Sequence, residues 1–352
     1  MPLVRIRDVK RGYSETFYTG DFPTEYIIRG GDLLIGMDGE FNISRWKSRD
    51  ALLNQRVCKI TAKSGISEEY LRFALSGALK EIEQRTAFVT VKHLSAKELN
   101  KLVLDVPNYT EQERIASTLA TIEKIINHRM FEISTLDDLI KARFVEMFGD
   151  PKINRNGYPV KLLDSLVTEI IAGWSANGES RPKEGNEKAV LKVSAVTQGY
   201  FRPEEHKALP VETEIKKYVY PHRGDLLFSR ANTRELVGAT AIIEQDYPDL
   251  ILPDKLWRVL FSDELNVYYA KYVLSTKSIR GEFSSQSTGT SGSMFNVSAD
   301  KFRNISIPVP PISEQKCFER FIHQVDKSKF VVQKALDEAQ TLFDSLMQQY
   351  FG

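Results

Sequence analysis

A stretch of forty residues that occurs twice constrains this chain more than any other feature. Residues 110–149 (TEQERIASTLATIEKIINHRMFEISTLDDLIKARFVEMFG) and 313–352 (SEQKCFERFIHQVDKSKFVVQKALDEAQTLFDSLMQQYFG) both open on a hydroxyl residue and Glu-Gln and close on Phe-Gly. Each reads as one long helix. Thr110 with Glu113 fits a capping box, Ser313 fits an N-cap, and Gly149 before Asp150-Pro151 is a stop. Apolar residues follow a 4-3 spacing through Ile115, Leu119, Ile122, Ile126, Ile133, Leu136, Ile140 and Met147. In the second copy they run through Phe318, Ile322, Val325, Val332, Leu336, Ala339, Phe343, Leu346 and Tyr350. A 3.5-residue period makes a narrow seam that wants a helical partner. Each helix is the simplest partner for the other, with Arg129, Arg143 and Lys329 as polar seam positions that fix register. The alternative is two helices each packed within its own domain.

The segments before the helices repeat as well. AVLKVSAVTQGY (189–200) matches PLVRIRDVKRGY (2–13), and HRGDLLFSR (222–230) matches RGGDLLIGM (29–37). LWRVLF stands where QRVCKI does, and VYYAKYVLSTKSI replaces the EEYLRFAL helix. In the first copy the pattern predicts strands at LVRIRDV, at DLLIG after Gly30-Gly31, and at LLNQRVCKI. A helix over 68–85 and a short helical turn follow, and then a strand in LVLDVP. The chain is therefore a tandem repeat of globular domain plus long helix. Residues 158–188, which open the second copy (YPVKLLDSLVTEIIAGW onward), have no counterpart in the first. This predicts a matching segment upstream of Met1, or a natural short form.

Charge and composition narrow the function. A net charge of +1 argues against a nonspecific polyanion binder, so nucleic-acid contacts must come from local groups. Cys58 and Cys317 stand alone, which predicts a reducing compartment and no disulfide framework. With no long apolar run, the expected location is cytoplasmic, with no membrane partner. Catalytic signatures do not assemble. Val309-Pro310-Pro311-Ile312 lacks the polar and aromatic members of an amino-methyltransferase loop, and no phosphate-binding glycine loop is present. Ser293 spoils a nucleophile elbow, and the five histidines lack metal-ligand spacing.

The helix entries DVPNYTEQERIA and PVPPISEQKCFE, with STGTSGSMFNVS (287–298), MDGEF…LLNQRVCKI and SRANTRELVG…LPDKLWRV, resemble the specificity subunit of type I restriction-modification systems. The resemblance spans nearly the whole chain. It implies a mixed α/β architecture of two target-recognition domains (1–107 and 151–310). These alternate with spacer helices (108–150 and 311–352) in an antiparallel coiled coil with pseudo-twofold symmetry. It also implies a noncatalytic subunit that binds a bipartite site in double-stranded DNA. Two methyltransferase subunits would bring S-adenosylmethionine, and restriction subunits would bring ATP and Mg2+; this chain would hold no cofactor or metal. A type IIB specificity subunit, or a helical protein-interaction scaffold, are the alternatives.

Residues able to contact DNA, at base edges or, in the loops 90–93 and 288–293, at phosphates, cluster at equivalent places in the two domains. Arg pairs with guanine, Asn and Gln with adenine, and carboxylates accept from cytosine. The first set is Asp38, Glu40, Asn42, Arg45, Lys47, Asn54, Gln55, Arg56, Lys92 and His93. The second is Ser229, Arg230, Asn232, Thr233, Arg234, Lys255, Ser291, Ser293 and Asn296. Trp46 and Trp174 are candidates to pack or to wedge, and Trp257 reads as core.

Overall fold

The computed structural model describes residues 1–85, 93–286 and 295–352. In chain order it opens with β1 (Leu3–Val4), α1 (Ile6–Arg11), β2 (Ile27–Ile28), β3 (Leu33–Gly36), β4 (Ile43–Arg45), β5 (Ala51–Leu53) and β6 (Val57–Ile60). Then come α2 (Glu68–Arg85), α3 (Ala96–Leu99) and the forty-residue α4 (Tyr109–Phe148). The second round is β7 (Val160–Leu162), α5 (Leu163–Leu166), β8 (Val167–Ala172), β9 (Ala189–Leu191), β10 (His206–Ala208), β11 (Leu226–Ser229) and β12 (Ala231–Asn232). It continues with β13 (Thr240–Ile242), β14 (Leu250–Ile251), β15 (Leu256–Phe261), α6 (Val267–Ser275), α7 (Lys277–Gln286), β16 (Phe295–Asn296), α8 (Ala299–Arg303), β17 (Ser306–Pro308) and α9 (Ile312–Phe351). Packing divides the chain into Met1–Ile133 with Val331–Gly352 (unit 1) and Ser134–Phe330 (unit 2). Both boundaries fall inside a long helix.

Unit 1 is built on β3, which the Gly31 turn (φ 97°) launches and whose four residues are all buried. It lies between β4 and β6, antiparallel to both; a second sheet has the order β1-β5-β2, with β1 parallel to β5. Val4, Val9, Ile28, Leu34, Trp46, Ala51 and Val57 form one core, and Ile35, Phe41, Leu75, Leu79 and Leu94 another. Three expectations need correction. LVRIRDV is a two-residue strand followed by a helix, because the Asp8 carboxylate accepts from the Arg5 N–H at 2.9 Å and Gly12 (φ 79°) ends the turn. LLNQRVCKI breaks at Asn54, whose Oδ1 accepts from the Arg56 N–H, and its halves enter different sheets. The strand expected in LVLDVP is absent.

Unit 2 repeats the plan, with one strand more in its central sheet among the described residues. β11 takes the place of β3 after the Gly224 turn (φ 88°), and the sheet order is β13-β11-β15-β8. β9 runs parallel to β14, as β1 does to β5. β8 comes from the opening segment that the first copy lacks.

One device recurs in both units. Gln112 (1% exposed) accepts the Ser67 N–H on Oε1 at 2.8 Å and donates to the Gly65 and Pro107 carbonyls. Gln315 (0% exposed) accepts the Asn266 N–H at 2.8 Å and donates to the Glu264 and Pro310 carbonyls. Each glutamine thus ties the start of a long helix to the start of the domain helix. Tyr70 donates to the Asp105 carbonyl and Tyr269 to the Pro308 carbonyl, both at 2.7 Å. The helix caps differ from expectation. Asn108 caps α4 by accepting the Glu111 N–H, and α9 begins at Ile312, so Thr110 and Ser313 lie inside the first turn.

Each unit contains parts of both long helices. In unit 1 the early residues Ile115, Ala116 and Leu119 of α4 share a cluster with Phe343, Leu346, Met347, Tyr350 and Phe351 of α9. In unit 2 the late residues Ile140, Phe144 and Phe148 of α4 share one with Phe318, Ile322 and Val325 of α9. Ile122 and Ile126 are buried, and Leu136, Val332 and Leu336 are half-buried. Lys329 bonds Asp137 at 2.6 Å, while Arg129 and Arg143 pair within their own helix with Glu132 and Glu146. Phe148 packs on Tyr269 (5.2 Å from Phe144, 4.9 Å from the tyrosine), and Phe351 packs on Tyr70 (5.4 Å). The Phe-Gly ends of the repeat therefore contact matched tyrosines.

Candidate nucleic-acid interface

In both units the loop after the central strand is held in one backbone frame. In unit 1, the Met37 N–H donates to the Arg56 carbonyl (2.9 Å) and the Leu94 N–H to the Met37 carbonyl (2.7 Å). In unit 2 the Arg230 N–H donates to the Lys255 carbonyl (3.0 Å) and the Val297 N–H to the Arg230 carbonyl (2.8 Å). Asp38 bridges His93 antiparallel; Ala231 and Asn232 pair with Asn296 and Phe295 in the same place. Three chain segments far apart in sequence therefore meet in each unit, as the two candidate sets require.

The side chains on the frame differ. In unit 1 the Asp38 carboxylate contacts His93 Nδ1 at 2.5 Å and Arg56 Nη1 at 2.7 Å. The His93 hydrogen bond first, and then the Arg56 charge, hold the Asp38 carboxyl below the usual carboxylate value. Arg56 and His93 remain more than half exposed, so their outer edges face solvent. Glu40 meets Lys10 at 3.7 Å, and Asn42 donates to the Glu40 carbonyl. Arg45 lies apart, bound by Glu68, Glu69 and the Gly31 carbonyl, and Lys47 packs its stem under Gly12. Asn54 shapes the turn before β6, and Gln55 is exposed beside it.

In unit 2 the Arg230 guanidinium lies 5.7 Å from the centroid of Trp257, and its buried Nε has no hydrogen-bond partner among the described residues. Ser229 is fully buried, and its hydroxyl has no hydrogen-bond partner among the described residues. Asn232 Oδ1 accepts the Thr233 N–H, and the Arg234 carbonyl accepts from Ser284. Lys255 and Asn296 are half-buried beside Arg230. Lys92, Ser291 and Ser293 lie outside the described residues. Trp46 packs, with its N–H on the Arg49 carbonyl, Trp257 is core, and Trp174 is half-buried.

Sequence reasoning missed one group of residues. Arg7, Lys10 and Arg11 of α1 line an open cleft with Ile6, Glu40 and Asn42. A strand over this segment scatters these cations over two faces; the helix gathers them beside the MDGEF loop. Among the described residues no cluster of three or more His, Cys, Asp or Glu side chains is placed to hold a metal ion. Nor is any helix among them long and apolar enough to cross a membrane.

Residues 9–134 and 169–339 match the profile of the type I restriction modification DNA specificity domain. The chain belongs to that family. The EcoBI specificity subunit of Escherichia coli is 39% identical over 142 residues, 40% of this chain but only 30% of that relative. The EcoKI specificity subunit of Escherichia coli (strain K12) is 22% identical over 378 residues, covering 99% of this chain and 80% of its own length. The crystal structure of a type I restriction-modification S subunit from M. genitalium shares the fold, with a TM-score of 0.53 over 97% of this chain and 85% of that one at 14% identity. Each match to the specificity-domain profile holds one copy of the loop frame: Met37, Asp38, Arg56 and His93 in the first, and Arg230, Asn232, Lys255 and Asn296 in the second.

Proposed function

We propose that the chain is the noncatalytic DNA-recognition subunit of a type I restriction-modification enzyme, each unit reading one half of a bipartite target. The observation that carries this is the loop frame: one backbone arrangement presents Asp38, Arg56 and His93 in unit 1 and Arg230, Asn232, Lys255 and Asn296 in unit 2. A shared scaffold with different hydrogen-bonding edges is what two unlike half-sites need. Arg7, Lys10 and Arg11 suit phosphate contacts beside the first set.

The two long helices form an antiparallel coiled coil in this reading, which relates the domains by a pseudo-twofold axis. The pairing of early α4 with late α9, and of late α4 with early α9, supports it. Forty residues at 1.5 Å each give a spacer of about 60 Å. The two half-sites are then separated by a gap of unspecified sequence. Two methyltransferase subunits supply S-adenosylmethionine and modify adenine, and restriction subunits supply ATP-driven cleavage. The complex works in the cytoplasm. To test this, the chain is combined with its methyltransferase and methylated adenines are mapped on genomic DNA. The expected result is one bipartite motif with a fixed gap. A contiguous motif, or no DNA binding by the assembled complex, would contradict the reading.

A further inference from the structure

The strand registers align the two loop frames residue by residue. Gly36 pairs with Val57 as Ser229 pairs with Leu256, and Leu94 bonds Met37 as Val297 bonds Arg230. Asp38 therefore corresponds to Ala231, Arg56 to Lys255 and His93 to Asn296. Unit 1 carries a carboxylate and an arginine together at two positions where unit 2 has an alanine and a lysine.

The Asp38 side chain is 13% exposed, and both of its oxygens are engaged. Oδ1 meets His93 Nδ1 at 2.5 Å, and Oδ2 accepts from Arg56 Nη1 at 2.7 Å. The carboxylate thus serves its neighbours, although its residue type could accept from cytosine. Arg56 is fixed at three points. Its N–H donates to Asn54 Oδ1 (3.0 Å), its carbonyl accepts from the Met37 N–H (2.9 Å), and its guanidinium donates to Asp38. Its side chain is still 60% exposed. Arg45 differs, because Glu68, Glu69 and the Gly31 carbonyl all bind its guanidinium and leave it half-buried.

Such a pair selects among the groups that DNA offers. Phosphate capture rests on net positive charge, and the charge of Asp38 offsets that of Arg56. Directional donors survive the pairing: a guanidinium held in one plane keeps an outer fork that matches two acceptors side by side. In the major groove guanine alone presents two such acceptors, O6 and N7.

We propose that Arg56 is the residue through which unit 1 specifies a guanine in its half-site, and that Asp38 is a positioning residue that orients the guanidinium and touches no base. This assignment rests on the DNA-recognition reading above and narrows it to one residue pair and one base.

The full chain, assembled with its methyltransferase, is bound to its target duplex. Each guanine of the target is replaced in turn by 7-deazaguanine, which pairs normally but lacks the N7 acceptor. At one guanine of the half-site read by unit 1, affinity should fall about tenfold. Arg56→Gln should weaken the unmodified duplex by a similar factor, and 7-deazaguanine at that position should then cost less than about twofold more. Asp38→Asn should shrink the penalty at that guanine and leave the penalties at the other positions as they were. A side chain that only held the loop would instead weaken every duplex alike.

Sequence-specific binding with no guanine whose N7 depends on Arg56 overturns the assignment and leaves the recognition reading standing. So does uniform weakening by Arg56→Gln with a flatter salt dependence, which makes Arg56 a phosphate contact. An Asp38→Asn complex that discriminates as before overturns the positioning role. Failure to bind any duplex would overturn the recognition reading, and the assignment with it.

Discussion

The two units share their fastenings and differ in what those fastenings present. Gln112 and Gln315 make the same three hydrogen bonds, and Tyr70 and Tyr269 the same one. The loop frames agree to within a few tenths of an ångström in donor–acceptor distance. On that frame unit 1 carries a closed ionic group, Arg56–Asp38–His93, whereas unit 2 carries an arginine on an indole face, its Nε without a partner among the described residues. Buried backbone partners are costly to leave unsatisfied, so they tolerate little change. Side chains that face solvent are free to diverge, and here they have.

The largest expected effect breaks the comparison at the helix ends. Phe148 is 2% exposed among Phe144, Tyr158, Tyr269 and Phe318, while its counterpart Phe351 is half-buried. Phe148→Ala should cost about 3–5 kcal/mol, and Phe351→Ala about 1–2 kcal/mol because less contact is lost. Chemical denaturation measures both, and equal losses would refute the packing asymmetry. Next come the clasps. Gln112→Leu and Gln315→Leu each strand an N–H (buried at Ser67, part-buried at Asn266) and two carbonyls, and each should cost about 3 kcal/mol. Denaturation by the same method should find the two costs alike, since the two clasps are; a difference of several-fold would mean that they are not equivalent.

Much of this was legible in the sequence. The repeat, both long helices, the helix over Glu68–Arg85 and the central strands follow from apolar spacing and Gly-Asp turns. What escaped reading depended on partners. VLDVP and SIPVP have the same pattern, yet only the second is a strand, because only it has β7 beside it. Phe144 and Phe148 lie off the 4-3 seam and face the domain core, which a periodicity search for helix pairing passes over. The cations of α1 were hidden because six residues are too few to show a helical period. At the candidate interface, the matched loops were readable, but the ionic group joining Asp38 to Arg56 and His93 required three segments to meet.

Smaller effects sharpen the comparison at the interface. Arg230→Ala or Asn232→Ala should weaken cognate DNA binding by about 1–3 kcal/mol and relax one or two base pairs of a single half-site. Binding to a panel of singly substituted duplexes checks this, and uniform weakening across the panel would assign these residues to phosphate contacts instead. The smallest effect is in unit 1. The bond from His93 and the charge of Arg56 keep the Asp38 carboxyl ionised until the pH falls below the usual carboxylate range. The group therefore stays intact through neutral pH and is lost on acidification through the lowered value. Arg56→Ala should move that midpoint upward, as followed by the Asp38 carboxyl resonance; an unmoved midpoint would show that Arg56 does not act on it.

The central claim is that each unit reads DNA by itself. Residues 1–107 are replaced by the matching domain of a related specificity subunit, and methylated adenines are mapped for the chimera with its methyltransferase. Contacts in separate, well-spaced modules should contribute additively. The account predicts that one half-site changes while the other half-site and the gap are retained. If both half-sites change together, the two units do not read independently and the account is wrong.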